Sequence, residues 1–500
     1  MKKSLLILLN CFMLSVEGNS GVLLNQDGAE IDIASKVQAV KSLNLDNPFV
    51  IQAFSSWRAL GALNPETNLF MQNLLDKNYS EAYQMLSKLN EPKAKKLLEA
   101  SELYLLFQLD MFQAFVGRFI EVSSDGLFLQ SELGLALDHV AGPLMGEKIL
   151  EKGLFLSTNE KKQMLSFEKS DSKINYTLQA FKALGSGENA LQWIGKLEDH
   201  HPLKIQLAET ALLDFAKQKK LGASGKIVKS IIEPILNTAE NNDEQISLYF
   251  MTLARLLYQA GALQEANKYY SLIPESSQYF LKAKSESLWA SIRARDYSKT
   301  KGDLATLELN VFNKNFYPEV YLVSAMANVM LCQFVEARSA INRFVANNKV
   351  WASEIEKNLQ ANMPVEIEKT PVLSFMAKSE QTLALDMVNV VSPKLQADLK
   401  NKSAEIQQAR RVEYLKQWNN RQKLLETALY KMKFVRLELI ARMRQVQMKM
   451  QVAGADTISV QQAATAKKNQ LKFPHDGKLW SDDLFHMSAE VRNMCQRGEL

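Results

Sequence analysis

Along the middle of the chain, apolar residues recur at the three-to-four spacing of helices that bury one side. Between residues 246 and 259, Tyr249, Leu253, Leu256 and Leu257 stand at i, i+4, i+7 and i+8, the stripe an amphipathic helix turns towards a core. Short breaks separate such stripes: GALQEA (261–266), RDYSKT (295–300) and CQFVEA (332–337). Each break is followed by a residue at which two helices could touch: Ala266, Thr300 and Ala337, at spacings of 34 and 37. Upstream, GSGENALQWIGKL offers Ala190, GASGKIVKSII offers Val228, and KNYSEAYQML and DMFQAFVGRF offer Ala82 and Ala114, 32 residues apart. A period in the thirties built from paired helices predicts a solenoid, because one pair cannot bury its apolar face until a neighbour stacks on it. Glycine and proline are sparse, at 20 and 12 of 500 residues, which favours helix over sheet and predicts an all-α protein.

The same positions resemble tetratricopeptide repeats. In the 316–349 unit, Ala325 matches the small residue of the first helix, QFVEA the turn and the small residue Ala337 of the second, and Phe344 a later apolar position. The 246–279 unit matches through Ala254, Ala266 and Tyr270, while Thr300 and Val228 stand where the family has a small residue. The resemblance covers residues 64–350 and is closest from 172 onward. It implies a TPR-like solenoid over 64–362 that binds protein segments in a groove.

Beyond NMPVEIEKTPV (362–372) the repeat pattern stops. Residues 394–451 then run without proline or glycine, which predicts a long helical or coiled-coil arm over 373–452. This stretch holds 14 Lys and Arg against 5 Asp and Glu, a net +9 in a chain whose whole net charge is +5. Arg410, Arg411, Lys416, Arg421, Lys423, Lys431, Lys433, Arg436, Arg442 and Arg444 make it a basic surface, either a solvated face or a site for an anionic lipid surface or cell-wall polymer. A linker, 453–470, leads to a C-terminal tail, 471–500. There Ser481 caps a short helix with Asp482 and Asp483 in its first turn, and Leu484, Met487, Val491 and Cys495 fall on one face. Trp480, Asp483, Leu484 and Cys495 make the tail similar to those of uncharacterised exported tetratricopeptide proteins of predatory and gliding bacteria, some labelled for gliding motility.

The N-terminus changes the compartment. Lys2 and Lys3 precede an apolar run over residues 4–16 and then small residues, the pattern of a signal peptide over 1–20. An N-terminal segment, 21–63, follows, and periplasmic localisation is the expectation; lipidation at Cys11 is the alternative. Removal of the leader leaves Cys332 and Cys495. In an exported chain they are read as a disulfide holding the tail on the last repeats, with a buried free thiol or an intermolecular bridge as the other outcomes.

Chemistry is thin. The five histidines include the pair in DHHP (199–202), read as exposed loop residues, and the set His475, Asp482, Asp483 and His486, none at a metal-site spacing. There is no GxSxG, Walker loop or GxGxxG. No enzyme, cofactor, metal site or nucleic-acid partner is expected. The expectation is an envelope scaffold that binds proteins through its groove; a basic-arm protein for anionic surfaces is the alternative.

Overall fold

A computed structural model describes residues 47–61, 65–89, 92–186, 190–198, 201–217, 243–308, 316–361 and 370–453. Among these residues every regular element is helical, so the all-α expectation holds. The expected signal peptide, the 453–470 linker beyond Ala453, the C-terminal tail, Val228, and Cys11 and Cys495 lie outside the described residues.

The chain divides into two compact units, Met1–Leu109 and Asp110–Leu500. The first contains α1 (Pro48–Ala59), α2 (Pro65–Leu75), α3 (Tyr79–Leu86) and α4 (Lys95–Gln108). Asn47 opens α1 by accepting the Phe49 and Val50 N–H groups, and Pro48 occupies the first helical position, where a missing N–H costs nothing. Phe49 stacks on Tyr104 of α4 at 4.5 Å, and Trp57 meets Phe70 of α2 at 6.2 Å. A division after residue 63 was expected. The structure instead packs α1 into one core with α2 and α4.

The second unit opens with α5 (Phe112–Val122), α6 (Glu132–Ala141), α7 (Met145–Lys152), α8 (Thr158–Gln163), α9 (Lys173–Ser186), α10 (Ala190–Ile194) and α11 (Lys204–Lys217). The pairs α12 (Asp243–Gln259) with α13 (Leu263–Ser271), α14 (Phe280–Arg293) with α15 (Tyr297–Leu307), and α16 (Pro318–Met330) with α17 (Phe334–Gln360) follow. Each helix from α12 to α17 packs on the next, and α14 also touches α16. Their cores interlock: Ala283 of α14 joins the α12–α13 cluster, and Val320, Val323 and Ala327 of α16 join that of α14 and α15.

One turn recurs inside these pairs and in α2–α3. The second residue after the first helix is left-handed: Lys77 (φ 62°), Gly261 (84°), Arg295 (59°) and Cys332 (55°). The next N–H then reaches back five residues: Asn78 to the Asn73 carbonyl, Ala262 to Leu257 and Asp296 to Ser291 at 2.9 Å, and Gln333 to Asn328 at 2.8 Å. These are Schellman closures, which satisfy carbonyls the helix end would leave open. Asp110 (φ 60°) stands at the same place before α5.

The carboxyl third comprises α18 (Pro371–Asn389) and α19 (Pro393–Ala453, 61 residues). Pro393 divides them: it has no N–H to continue a ladder and disfavours helix at the residue before it. The stretch expected as a long helical or coiled-coil arm is packed against the rest of its unit. Helix α19 runs along α16, α17, α18 and α5, and buries Leu399, Ile406, Tyr414, Trp418, Leu425, Ala428, Met432 and Leu439. One apolar residue per turn is enough to hold a helix on a surface.

Candidate interaction surfaces

The fifth residue after each left-handed position lies where the second helix meets its neighbours. Ala82, Ala266, Thr300 and Ala337 occupy it, all fully buried, and Thr300 turns its hydroxyl onto the Asp296 carbonyl at 2.7 Å. Ala254 and Ala325, seven residues before the left-handed residue, are equally buried on the first helices. Ala190 is buried at the start of α10, but the turn before it lies outside the described residues. Ala114 is fully buried too. Counting from Asp110, the repeat position falls on Phe115, whose ring packs with Phe119 at 6.0 Å; an aromatic residue fills the place a small one was expected to hold. Ala114, one residue early, is buried and serves through its backbone.

Its N–H donates to Oδ2 of Asp386 on α18 at 2.9 Å. Asp386 thus closes the start of α5 from 272 residues away, as an N-cap would. The same helix answers the end of α7: Lys378 donates to the Leu150 carbonyl at 3.0 Å and Thr382 to that of Lys152 at 2.6 Å. Gly153 makes the approach possible. It is left-handed (φ 72°), and a Cβ there would stand 2.5 Å from the Ser379 hydroxyl. Burial pushes the Asp386 carboxyl up to about 7, against its backbone hydrogen bonds and Lys402.

Charged and polar side chains link the helices from α11 to α15. Arg255 of α12 grips Glu286 of α14 through two bonds of 2.7 and 2.6 Å, and Tyr270 donates to the same carboxylate at 3.2 Å. Below it, Lys284 and Asp303 form a buried pair at 2.8 Å with Ser287. Burial raises Glu209, which accepts from Thr252 at 2.8 Å.

The basic residues of α19 divide. Arg410 is buried and paired with Glu380 of α18. Arg421 lies over the Trp418 and Phe316 rings at 4.6 and 5.5 Å, Lys431 over Trp289 at 5.4 Å, and Arg442 bonds Glu438 at 2.6 Å. Lys416 pairs with Glu413 at 3.0 Å. Arg411, Lys416, Lys423, Lys433, Arg436 and Arg444 are exposed. Lys402, absent from the expected basic set, is buried against Glu160 at 2.9 Å and ties α19 to α8. Nothing in either local sequence links residues 242 positions apart.

On the far side of α19, Tyr430, Phe434, Leu437 and Met448 are exposed at helical spacing. Phe434 and Leu437 form, with Met326 and Val329 of α16, a mainly apolar groove of about 510 Å³ that Val435 and Ala441 also line and the Glu438–Arg442 pair borders. Cys332 is left-handed, buried, and three residues beyond Val329; its expected partner Cys495 lies outside the described residues.

His201 departs from its expected exposure. It is packed beneath α9, accepts the Leu203 N–H at Nδ1 (3.3 Å) and sets Nε2 3.0 Å from the Thr177 hydroxyl; burial lowers it to about 4. Among the described residues there is no group of three potential metal ligands, and no helix is long and apolar enough to cross a membrane. No protein-family model, curated protein or solved structure matches the chain.

Proposed function

We propose that the protein is a TPR-like α-solenoid scaffold of the cell envelope, holding a segment of a partner protein on the face built by its first helices. The observation that carries this reading is the recurrence of one Schellman turn, at Lys77, Gly261, Arg295 and Cys332, with a buried alanine, or Thr300 after Arg295, five positions later. Such a register fixes successive helix pairs at a constant offset and makes a preformed surface, on which a peptide binds without the protein first having to order itself. The network of Arg255, Glu286 and Tyr270 supplies fixed polar anchors on it. Its action is binding, with no covalent chemistry. Periplasmic export, a place in an envelope or gliding-motility complex, and a Cys332–Cys495 disulfide belong to the same proposal.

The exposed cations of α19 favour a second reading, attachment to an anionic lipid surface or wall polymer. The basic surface cannot be tested by deleting α19, because that helix is part of the core. Charge reversal at Arg411, Lys423, Lys433, Arg436 and Arg444 in the full chain separates the readings. Retention of crosslinked protein partners supports the scaffold. Loss of all envelope association, with steep salt sensitivity in the parent, supports the anionic surface instead.

A further inference from the structure

The groove between α16 and α19 is apolar where soluble proteins are usually polar: Phe434 and Leu437 are more than half exposed at its rim. We propose that its occupant is the chain's own C-terminal segment, residues 481–495, with Leu484, Met487 and Val491 filling it as a short helix.

Three features of this chain agree on that occupant. The first is spacing. Residues 484, 487 and 491 follow the i, i+3, i+7 pattern of a helix laid in a groove. From 484 to 491 such a helix rises about 10 Å, the same as α19 from Phe434 to Ala441. The second is reach. Phe434 and Ala441 lie about 29 and 18 Å back along α19 from Ala453. The 28 residues 454–481, taken as a flexible chain, have a root-mean-square span of about 30 Å.

The third is polarity of direction. Helices α16 and α19 run the same way past each other: Arg421 meets Phe316 just before α16, and further along both helices Phe434 and Ala441 share the groove with Met326 and Val329. A segment entering beside Lys431, Lys433 and Arg436 places Asp482 and Asp483 among these cations. It then leaves Val491 and, one turn later, Cys495 at the Cys332 end. The reverse direction sets the acidic pair at the thiol end and separates the cysteines. Arg442 and Arg444 put cations at the other end as well, so the thiols select the orientation. In it, Cys332 and Cys495 can close a disulfide: each sulfur loses a proton, and the two electrons pass to an exogenous disulfide, which is reduced to two thiols.

The test uses the full-length protein and two variants that leave the buried stripe of α19 intact, Met487→Asp on the segment and Leu437→Asp at the groove rim. Exchange of backbone amides over 326–333 and 432–442 is expected to quicken about tenfold in both, with α12–α15 unchanged as the folding control. With oxidised glutathione as oxidant, the peptides bearing Cys332 and Cys495 should become linked within one chain, at least tenfold more slowly in Met487→Asp. Unchanged exchange and unchanged linking in both variants would overturn the proposal. So would groove protection that rises with protein concentration and survives Met487→Asp, the mark of a second copy in the groove.

Discussion

Asp386→Asn should make the protein more stable at neutral pH while leaving the α18–α5 junction intact. The carboxyl is held near 7 in the folded protein against 3.8 for a free aspartate, with burial as the leading cause; Lys402 opposes the shift and Asp110 adds to it. Between these values the folded chain keeps a proton the unfolded chain has lost, so stability falls as pH rises from about 4 to about 7 and is flat beyond. Three units correspond to about 4 kcal/mol. Asparagine keeps an oxygen to accept the Ala114 N–H and has no charge to bury. Denaturant midpoints of parent and variant should therefore coincide near pH 4 and separate by up to about 4 kcal/mol at pH 8, with the variant higher. A variant less stable than the parent at pH 8 would show that the ionised carboxylate is the form α5 needs, and would refute the reasoning.

Other outcomes follow from the same structure. His201 is depressed from 6.5 to about 4 by burial, so it contributes stability above pH 6.5 that is lost as pH falls towards 4, about 3 kcal/mol in all; His201→Gln should flatten that limb of the acid titration. Ala337→Arg drives a charged stem into a fully buried contact and should lower stability by more than about 3 kcal/mol, whereas Val335→Arg, at an exposed site on the same helix, should leave the melting temperature unchanged. Cys332→Gly removes a left-handed cysteine and, in reductant, should equal or exceed the parent by about 1 kcal/mol. Without reductant the parent should exceed it by up to about 4 kcal/mol, and a difference independent of redox state would dispose of the bridge.

What the sequence discloses and what it hides follow from the range of the interactions. The stripe of Tyr249, Leu253 and Leu256 and the small residues Ala266 and Ala337 are local patterns, and they located the helix pairs correctly. At Ala114 the small residue is buried but stands one place before the position counted from Asp110, since smallness is a weaker marker of register than the turn itself. A left-handed lysine, arginine or cysteine at 77, 295 or 332 leaves no trace in composition, as glycine does at 261. The apolar side of α19, with Leu425, Ala428 and Met432, is legible in its sequence, but its partners are not, since Arg410 and Lys402 count as surface residues until Glu380 and Glu160 are brought to them. Asp386 and its two helix ends were invisible for the same reason: a cap supplied from 272 residues away has no local sequence.

The central claim, that the first-helix face holds a protein partner, is tested most directly by a photocrosslinking amino acid placed at position 282 on α14. Arg255 and Glu286 both act on that position electrostatically. Positions 335 on α17 and 423 on α19 serve as comparisons in intact producing cells. The account predicts a discrete protein adduct from 282, absent from 335 and unaffected by charge reversal along α19. Adducts only from 423, to lipid or wall polymer and abolished by that reversal, would contradict it.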